Sequence, residues 1–178
     1  MRCSVYEGRQ GVGRIEVASA MARTNLDSID KKILRFLIKN ARTPFLEIAR
    51  ECGISGAAIH QRIKKLEDIG VIQGSRMVVV PKSLGFDVCA FISIRVSDIT
   101  RQQDTVERLK EIPEIVECHY ITGSYNLMVK IYCIDNEHLM RTIFDKILQV
   151  QGVSSTQTYM SLNESFRREI HVECLEEE

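Results

Sequence analysis

The stretch TPFLEIARECGISGAAIHQRIKKLEDIG, residues 43–70, decides the fold of the N-terminal half of this chain. It contains two helical patterns joined by a very short turn. Gly53 suits the left-handed residue that ends the first helix, and Ser55 can accept a hydrogen bond from the free amides that begin the second. Thr43 is the predicted cap of the first helix, with Pro44 at its first helical position, where a missing amide hydrogen costs nothing. Two helices this close together indicate a helix-turn-helix.

A further helix is predicted before this stretch, over about residues 28–41. Asp27 or Ser28 can cap it, because either side chain can accept a hydrogen bond from the first free backbone amides. Its apolar residues recur at helical spacing and are Ile29, Ile33, Leu34, Leu37 and Ile38. The next helix has a shorter stripe of Ile48, Ala49 and Cys52. We therefore expect a three-helix domain over residues 25–75.

The helix that follows Ser55 has two contrasting faces. At about 100° per residue, Ile59, Ile63 and Leu66 point to one side, and Ile69 lies near enough to join them. In a helix-turn-helix this helix enters the major groove of DNA, with its N-terminal residues nearest the base edges. The candidate DNA contacts are its first turn and its outer face: Ser55, Gly56, Ala57, Ala58, His60, Gln61, Arg62, Lys64 and Lys65.

These residue types suit different contacts with DNA. Gly56 and the two alanines after it allow close approach, and an alanine methyl can touch the methyl of thymine. Gln61 can read an adenine or contact a phosphate, whereas Lys64 and Lys65 suit phosphates, which fix register without specifying sequence. Arg62 lies beside the apolar stripe and can reach a flanking phosphate. A basic helix face is also typical of an ordinary solvated surface, so this pattern alone leaves both interpretations open.

The charges of the chain are divided unevenly along it. The net charge is zero, from 24 basic and 24 acidic side chains. Residues 24–76 contain ten basic and six acidic side chains, residues 77–178 contain ten and sixteen, and residues 1–23 contain four and two. This polarity favours a basic module that meets a polyanion, joined to an acidic module with another role. Chance unevenness is the alternative interpretation.

Several classes of protein and site find no support in the sequence. No run of 18 apolar residues is present, so we expect no membrane span. The six cysteines are scattered without a CxxC pair, and the four histidines lack metal-ligand spacing, which predicts free cysteines in a reducing cytoplasm and no bound metal. No nucleophile motif is recognisable, so no catalytic residue is assigned and we expect no enzyme activity and no cofactor.

The first 24 residues have no sustained hydrophobic period. We expect residues 1–24 to be a disordered extension, with Met21 as an alternative start. This segment lacks the apolar centre of a signal peptide, which favours a cytoplasmic protein.

The second half predicts the order β-α-β-β-α-β. Strands are expected at 88–96, 115–122, 126–134 and 153–162, with a helix at 105–112 that Pro113 ends. A second helix begins at Asp135 or Asn136, ends at Gly152, and has an apolar stripe of Leu139, Met140, Ile143, Phe144, Ile147 and Leu148. Residues 76–87 form a linker with a short strand at about 76–80. The order is that of a ferredoxin-like split unit over residues 88–174, which makes the fold class α+β.

Four segments of the sequence together resemble the Lrp/AsnC family of prokaryotic transcription regulators. They are LDSIDKKILRFLIKNART, LEIARECGIS, RIKKLEDIGVIQG and IVECHYITGSYNLMVKI. The resemblance runs from about Leu26 to Val172. It implies an N-terminal domain that binds double-stranded DNA and a C-terminal ferredoxin-like (RAM) domain that regulates amino-acid metabolism. It further implies homodimers, formed through the sheets of the C-terminal domains, that often assemble into octamers.

The resemblance also implies an effector, usually an amino acid, bound between C-terminal domains near the loop TGSYN. This loop contains Thr122, Gly123, Ser124, Tyr125 and Asn126, and Thr156 and Thr158 of a neighbouring chain are expected to complete the pocket. Free amides at a tight turn can hold a carboxylate, and Gly123 permits close approach. Family members commonly have aspartate where this chain has Asn126, and an amide holds an ammonium group more weakly. A plain hairpin turn is the alternative interpretation.

Two other functions are compatible with the same resemblance. Some haem-pathway decarboxylases that act on tetrapyrroles of the sirohaem type resemble this family and keep both domains, although the basic face of the third helix argues against that role. A ligand sensor that acts only through protein contacts, with a helix-turn-helix that no longer binds DNA, is the other alternative.

Overall fold

The computed structural model describes residues 25–170 and 172. The N-terminal extension predicted over residues 1–24, with its alternative start, therefore lies outside the described residues, as do Cys3, Cys174 and His171. The described chain forms two compact units. One contains the residues up to Ser75 together with those from Glu169 onward, and the other is Arg76–Arg168.

The N-terminal unit contains three helices, as the sequence predicts. They are α1 (Ser28–Lys39), α2 (Phe45–Cys52) and α3 (Gly56–Asp68). Asp27 caps α1, since its Oδ1 accepts a hydrogen bond from the Asp30 amide at 2.7 Å. The helix ends two residues before the predicted boundary, with Asn40 as its C-cap. The predicted helix-turn-helix architecture is confirmed.

The turn between α2 and α3 follows the predicted chemistry, but the start of α2 does not. Gly53 has φ 66°, which is left-handed, and the Ser55 hydroxyl accepts a hydrogen bond from the Ala58 amide at 3.2 Å. Pro44 is extended and takes the N-cap position itself, because its carbonyl accepts the first helical hydrogen bonds. The Thr43 hydroxyl instead donates to the Asn40 carbonyl at 2.8 Å, so its prediction as the cap was wrong.

The core of this unit lies between the three helices. Its buried apolar residues are Ile33, Leu34, Ile48, Ala49, Ile59, Ile63, Leu66 and Val172. Each large side chain of this kind contributes about 1.5–3 kcal/mol by its burial. The prediction for Ile69 was wrong: it is 44% exposed, because it is the C-cap of α3, where the chain leaves the helix.

Val172 joins this core from the far end of the sequence. It is 5% exposed and packs in the same cluster as Ile59 and Leu66 of α3. The sequence placed residues 88–174 in the C-terminal domain, whereas the structure groups the described residues from Glu169 onward with the N-terminal unit. The N-terminal core is therefore built from both halves of the chain.

The segment 76–80 is not a strand in this chain. It has no regular secondary structure, and its apolar side chains are exposed, with Val78 at 76%. A strand requires a neighbour for its backbone groups, and this segment has none within the described residues. The remaining linker contains a 3-10 turn at Pro81–Leu84, so the prediction of a strand in residues 76–87 was wrong.

The C-terminal unit is a four-stranded antiparallel sheet with helices. In chain order it contains β1 (Val88–Val96), α4 (Gln102–Lys110), β2 (Ile115–Tyr120), β3 (Leu127–Cys133), α5 (Asn136–Arg141) and β4 (Val153–Ser161). The strand order is β2-β3-β1-β4, which is that of the predicted βαββαβ unit. The α+β fold class is confirmed. The first helix begins three residues earlier than predicted, at Gln102.

The second helix of this unit is irregular. After α5 the chain makes a π turn over Thr142–Lys146 and a 3-10 turn over Ile147–Gln149. The π turn changes the helical period, so that Thr142 and Ile147 are buried. Met140 and Phe144 are more than half exposed, so their prediction as part of the buried stripe was wrong.

The two faces of the sheet differ in composition. One face carries Ile92, Ile94, Leu127 and Val129, and residues from both α4 and α5 belong to the same core. Strand alternation places Phe91, Lys130 and Tyr132 on the other face. The Lys130 ammonium lies 5.7 Å from the Phe91 ring centroid and 5.4 Å from that of Tyr132, which holds this nearly buried cation between aromatic rings.

Candidate nucleic-acid interface and effector loop

The outer surface of α3 contains the predicted DNA-contact residues. Ile59, Ile63 and Leu66 are buried, so the opposite side of the helix faces outward. The exposed residues on it are Ser55, Ala57, His60, Gln61, Lys64 and Lys65, while Gly56, Ala58 and Arg62 are half-buried. The surface is small and uncharged in its first turn and cationic further along. This geometry allows contact with DNA bases at the start of the helix and with phosphates toward its end.

Two of these residues also have packing roles inside the domain. A side-chain carbon at Gly56 would lie 3.0 Å from Cδ2 of Leu46, so this glycine permits close packing of α3 on α2. The His60 ring meets the Phe45 ring edge-to-face, with 5.2 Å between centroids. The start of α3 is therefore held in place by α2.

Arg62 is engaged in an ion-pair network within the domain. Its Nη1 lies 2.6 Å from Oδ2 of Asp27 and 2.6 Å from Oδ1 of Asp30, and the Asp30 side chain has no solvent exposure. The hydrogen bond from Arg62 lowers the pKa of Asp27, and the two carboxylates raise the pKa of Arg62. Lys65 stands at the edge of this network, with its Nζ 3.5 Å from Oδ2 of Asp30.

Sequence reasoning missed this network because its members are far apart along the chain. Asp30 and Arg62 are separated by 32 positions. A signal was nevertheless present, since Asp30 lies three and four residues before Ile33 and Leu34, in the apolar stripe of α1. A carboxylate at a buried position requires a cationic or hydrogen-bonding partner.

The candidate effector loop, residues 122–126, connects β2 to β3 and is mostly exposed. Thr122, Gly123 and Ser124 are exposed, whereas Tyr125 and Asn126 are half-buried. Gly123 has φ 113°, a conformation that strongly favours glycine. The first three residues therefore present backbone and hydroxyl groups to solvent.

Asn126 ties this loop to the end of β1. The side-chain Oδ1 of Asn126 accepts a hydrogen bond from the Val96 backbone amide at 2.8 Å, and the backbone amide of Asn126 donates to the Ile94 carbonyl at 3.0 Å. The side-chain oxygen at the position of the family's aspartate is thus engaged with the backbone of the same chain. Gln102, at the start of α4, donates to the Asn126 carbonyl at 3.4 Å.

Arg95 is a residue at this loop that sequence reasoning missed. Its guanidinium lies 5.4 Å from the centroid of the Tyr125 ring, a cation–π geometry. The signal was a single charge in the apolar run VCAFISIRV. An arginine beside exposed loop amides is a suitable group for binding a carboxylate.

The two predicted threonines lie across the sheet from the loop. Thr156 and Thr158 of β4 pair with Ile94 and Ile92 of β1 and share the helix-covered face with them. Since β1 lies between β3 and β4, two strand spacings of about 4.8 Å separate the start of β3 from Thr156. Within one chain, the threonines are therefore not brought together with the loop.

A separate open groove lies beside α4. It has a volume of about 550 Å³, and its lining includes Arg108, Lys146 and Gln151. Arg108 donates to Oε1 of Gln151 at 2.8 Å, and the Lys146 ammonium donates to Glu114 at 2.5 Å. Because these cations already bind neighbouring side chains and the groove contains no residue of the effector loop, the loop remains the candidate effector site.

The described residues contain neither a metal centre nor a membrane span. No group of three or more histidine, cysteine, aspartate or glutamate side chains in residues 25–170 and 172 is arranged to hold a metal ion. No helix in that part of the chain is long and apolar enough to cross a membrane.

Two family models match the two units. Residues 26–73 match a winged helix-turn-helix DNA-binding domain, and residues 89–170 match the Lrp/AsnC ligand-binding domain. Together these models account for most of the described chain. They match the helices and the sheet on which the two candidate surfaces lie.

Individual relatives agree with the family models. The chain is 35% identical over 146 residues to the regulatory protein AsnC of Haemophilus influenzae, covering 82% of this chain and 97% of that protein. The structure of Escherichia coli AsnC superposes with a TM-score of 0.76 at 34% identity, covering 81% of this chain and 97% of the other. A feast or famine regulatory protein of Mycobacterium tuberculosis complexed with L-methionine gives a TM-score of 0.76 at 26% identity, with coverage of 83% and 99%. The chain therefore belongs to the Lrp/AsnC family and is a DNA-binding transcription regulator.

Proposed function

We propose that this regulator reads its operator with the outer face of α3. Ser55, Gly56, Ala57 and Ala58 would approach the bases most closely, His60 and Gln61 follow, and Lys64 and Lys65 contact phosphates. The observation that carries this proposal is that the exposed residues lie on the side of α3 opposite its buried stripe; they are Ser55, Ala57, His60, Gln61, Lys64 and Lys65. An exposed helix face that is small at its start and cationic further along fits the major groove.

The proposal assigns a positioning role to Arg62. Its guanidinium is held by Asp27 and Asp30 of the first helical segment, so it orients α3 against α1. Lys65 is 55% exposed and shares Asp30 only at 3.5 Å, which leaves its ammonium available to a phosphate. The phosphate contacts of this face are therefore assigned to Lys64 and Lys65 rather than to Arg62.

We further propose that the chain acts as a homodimer that assembles into octamers. A dimer places two α3 helices in successive major grooves about 34 Å apart on a pseudo-palindromic site. The sheet face with Phe91, Lys130 and Tyr132 supports this proposal, because both helices of the unit pack on the opposite face. The exposed segment 76–80, whose backbone groups have no strand neighbour among the described residues, is a second surface suited to a partner chain.

The proposed effector is an amino acid bound near Thr122, Gly123, Ser124, Tyr125 and Asn126. The M. tuberculosis relative was solved with L-methionine, and here the loop amides and Arg95 offer donors for a carboxylate. Thr156 and Thr158 would come from a neighbouring subunit. A ligand of this kind changes the arrangement of the DNA-binding domains only if it prefers one assembly, and typical couplings are about 1–3 kcal/mol.

The DNA face is tested by replacing Lys64 and Lys65 with alanine. Each lost phosphate contact is expected to make the negative slope of log K against log salt shallower by about 0.9. The affinity at 0.1 M salt should fall by roughly eightfold for each lost contact, on specific and random DNA alike. Fluorescence anisotropy of labelled duplexes, with DNA from upstream of the chain's own gene among them, measures both. The control removes the exposed Lys82 and Lys110 of the other unit and should change neither quantity. If the slope and the affinity are unchanged in the variant without Lys64 and Lys65, DNA binds to another surface of the protein.

The effector loop is tested by Arg95→Met, which keeps most of the side-chain stem but removes the charge. Loss of a charge-assisted hydrogen bond worth about 1.5–3 kcal/mol should weaken amino-acid binding at least tenfold. Calorimetry with each amino acid in turn measures the affinity, and sedimentation with and without the ligand reports the assembly. Arg101→Met is the control, because Arg101 is an exposed arginine near the same end of the sheet. Equal ligand affinity in both variants would remove Arg95 from the site, and a monomer under all conditions would refute the dimer.

We propose a regulator in the cytoplasm rather than an enzyme or a sensor without DNA binding. The relatives above are regulatory proteins by name, and the outward cationic face of α3 has no role in a decarboxylase. A Soret band after haem addition to purified protein would favour the decarboxylase. Unchanged mobility of DNA at low salt would favour the sensor.

A further inference from the structure

Leu46 is an exposed leucine of α2 that lies against the start of α3. Its side chain is 62% exposed, whereas Ile48 and Ala49 of the same helix are buried. A carbon added at Gly56, the first residue of α3, would lie 3.0 Å from Cδ2 of Leu46. The leucine side chain therefore borders the space that a side chain at position 56 would take.

That space lies in the part of α3 that the proposed function brings closest to the DNA bases. The N-terminal residues of the second helix of a helix-turn-helix lie nearest the base edges. Gly56 has no side chain with which to contact a base, and the short side chains of Ala57 and Ala58 follow it. The first turn of α3 thus has little apolar surface of its own. The exposed side chain of Leu46 provides such a surface beside it.

A second contact holds the start of α2 against the same side of α3. The Phe45 and His60 rings meet edge-to-face, with 5.2 Å between their centroids. Gly56 and His60 are four residues apart, so they lie on one side of their helix. Two successive residues of α2 therefore pack along one side of α3, and this packing fixes the position of Leu46.

The exposed charges of α2 are divided between two sides of the helix. Leu46 and Arg50 are four residues apart, so they lie on one side, and both are exposed. The exposed acidic residues Glu47 and Glu51 lie on average about 100° further round the helix. The side of α2 that carries Leu46 is therefore cationic, which suits the approach of a phosphate backbone.

We propose that Leu46 contacts the C5-methyl group of a thymine in the major groove and so specifies thymine at one position of each half-site. The thymine methyl is the apolar group among the base edges of the major groove, and apolar side chains recognise it. Leu46 makes this contact from α2, at the point where α3 itself has a glycine. The inference rests on the proposed DNA face of α3 and adds a residue of α2 that determines sequence preference.

The expected effect is that of burying one methyl group. Exchange of this thymine for uracil removes only the methyl, and it should weaken binding by the wild type about fourfold for one half-site and about fifteenfold for both. In Leu46→Ala the same exchange should change the affinity by less than about twofold, because the alanine side chain is too short to reach the base. The ratio of affinities for the thymine and uracil duplexes is measured within one protein, so it does not depend on the folded fraction of that protein.

The test begins with the selection of binding sites from random duplexes by the wild-type chain. Each thymine of the selected site is then exchanged for uracil, and fluorescence anisotropy gives the affinity for each duplex. We expect one thymine in each half-site to show the fourfold ratio in the wild type, and both Leu46→Ala and the nearly isosteric Leu46→Asn to lose it. Leu46→Met keeps an apolar chain and should retain most of the ratio. The control Leu84→Ala removes a leucine of the other unit that is 65% exposed, and it should retain the full ratio.

The results that contradict this inference differ from those that contradict the proposed function. Equal costs of uracil for the wild type and Leu46→Ala at every thymine, or a selected site without thymine, would overturn the role of Leu46 and leave the DNA face intact. A methyl effect that Ala57→Gly abolishes and Leu46→Ala retains would assign the contact to α3 instead. If the variant without Lys64 and Lys65 binds every duplex as the wild type does, the proposed DNA face and this inference fail together.

Discussion

Replacing Gly152 by alanine is expected to destabilise the C-terminal unit by about 2–6 kcal/mol. Gly152 has φ 104°, and such a conformation costs roughly 1–3 kcal/mol for other residues. The added carbon would also lie 2.2 Å from Oγ1 of Thr105, a side chain that is 2% exposed, and overpacking of this kind costs about 1–3 kcal/mol. Whole domains are stable by only about 5–15 kcal/mol, so the loss is large. Urea unfolding followed by circular dichroism measures it.

Two companion variants separate the contributions to this loss. Gly123 has a similar φ of 113°, but an added carbon there meets nothing within 4 Å, so Gly123→Ala measures the backbone strain alone. Thr105→Ala in the Gly152→Ala background removes the clashing hydroxyl and should recover the steric part only. Equal costs for the two glycine substitutions would show that the contact with Thr105 contributes nothing.

Replacing Arg62 by methionine is expected to destabilise the N-terminal unit by about 3–5 kcal/mol. The substitution keeps the aliphatic stem but removes the cation 2.6 Å from a carboxylate, that of Asp30, with no solvent exposure. Breaking a buried ion pair from one side costs this much, because the Asp30 carboxylate then keeps, within the described residues, only the more exposed Lys65 ammonium, 3.5 Å away, as its cationic partner. Lys64→Met, on the exposed face of the same helix, should change stability by no more than about 0.5 kcal/mol. Urea unfolding monitors both variants.

Two further experiments test the ion-pair origin of this loss. In an Asp30→Asn background, the same arginine substitution should cost much less, since no buried charge remains. The hydrogen bond from Arg62 lowers the pKa of Asp27. The contribution of Asp27 to the free energy of unfolding is therefore fully present above its unfolded pKa of about 3.9, and it is lost as the pH falls through the lower pKa of the folded state. The cost of Arg62→Met should therefore shrink in acid. A cost that is the same at every pH and in both backgrounds would contradict the ion-pair account.

Local signals in the sequence predicted much of the fold. Asp27, Gly53 and Ser55 act on backbone groups within a few residues of themselves, so their capping roles could be predicted without knowing the tertiary structure. Strand alternation and the turns between segments were sufficient for the order of strands and helices in the C-terminal unit. The outer face of α3 follows from helical geometry alone, and its exposure agrees with the prediction.

The features that were missed depend on contacts between distant residues or on irregular backbone. The ion pairs of Arg62 were missed because its partners Asp27 and Asp30 lie 35 and 32 positions away along the chain. Met140 and Phe144 were placed in the core because a regular period does not allow for a π turn. The segment 76–80 has the composition of a strand but no neighbour to pair with among the described residues of this chain. Arg95 reaches the effector loop only once β1 lies beside β3.

The place of Val172 in the N-terminal core also affects how the protein is made. The three helices are synthesised first, but the cluster that they enclose is complete only after more than a hundred further residues have been added. Closing so long a loop carries an entropic cost and links the final stability of the first domain to the last part of translation. A ribosome product that stops before residue 172 would carry a DNA-binding domain with an unfilled core. Cellular proteases would therefore remove such fragments more readily than the longer chain, before they could occupy operators.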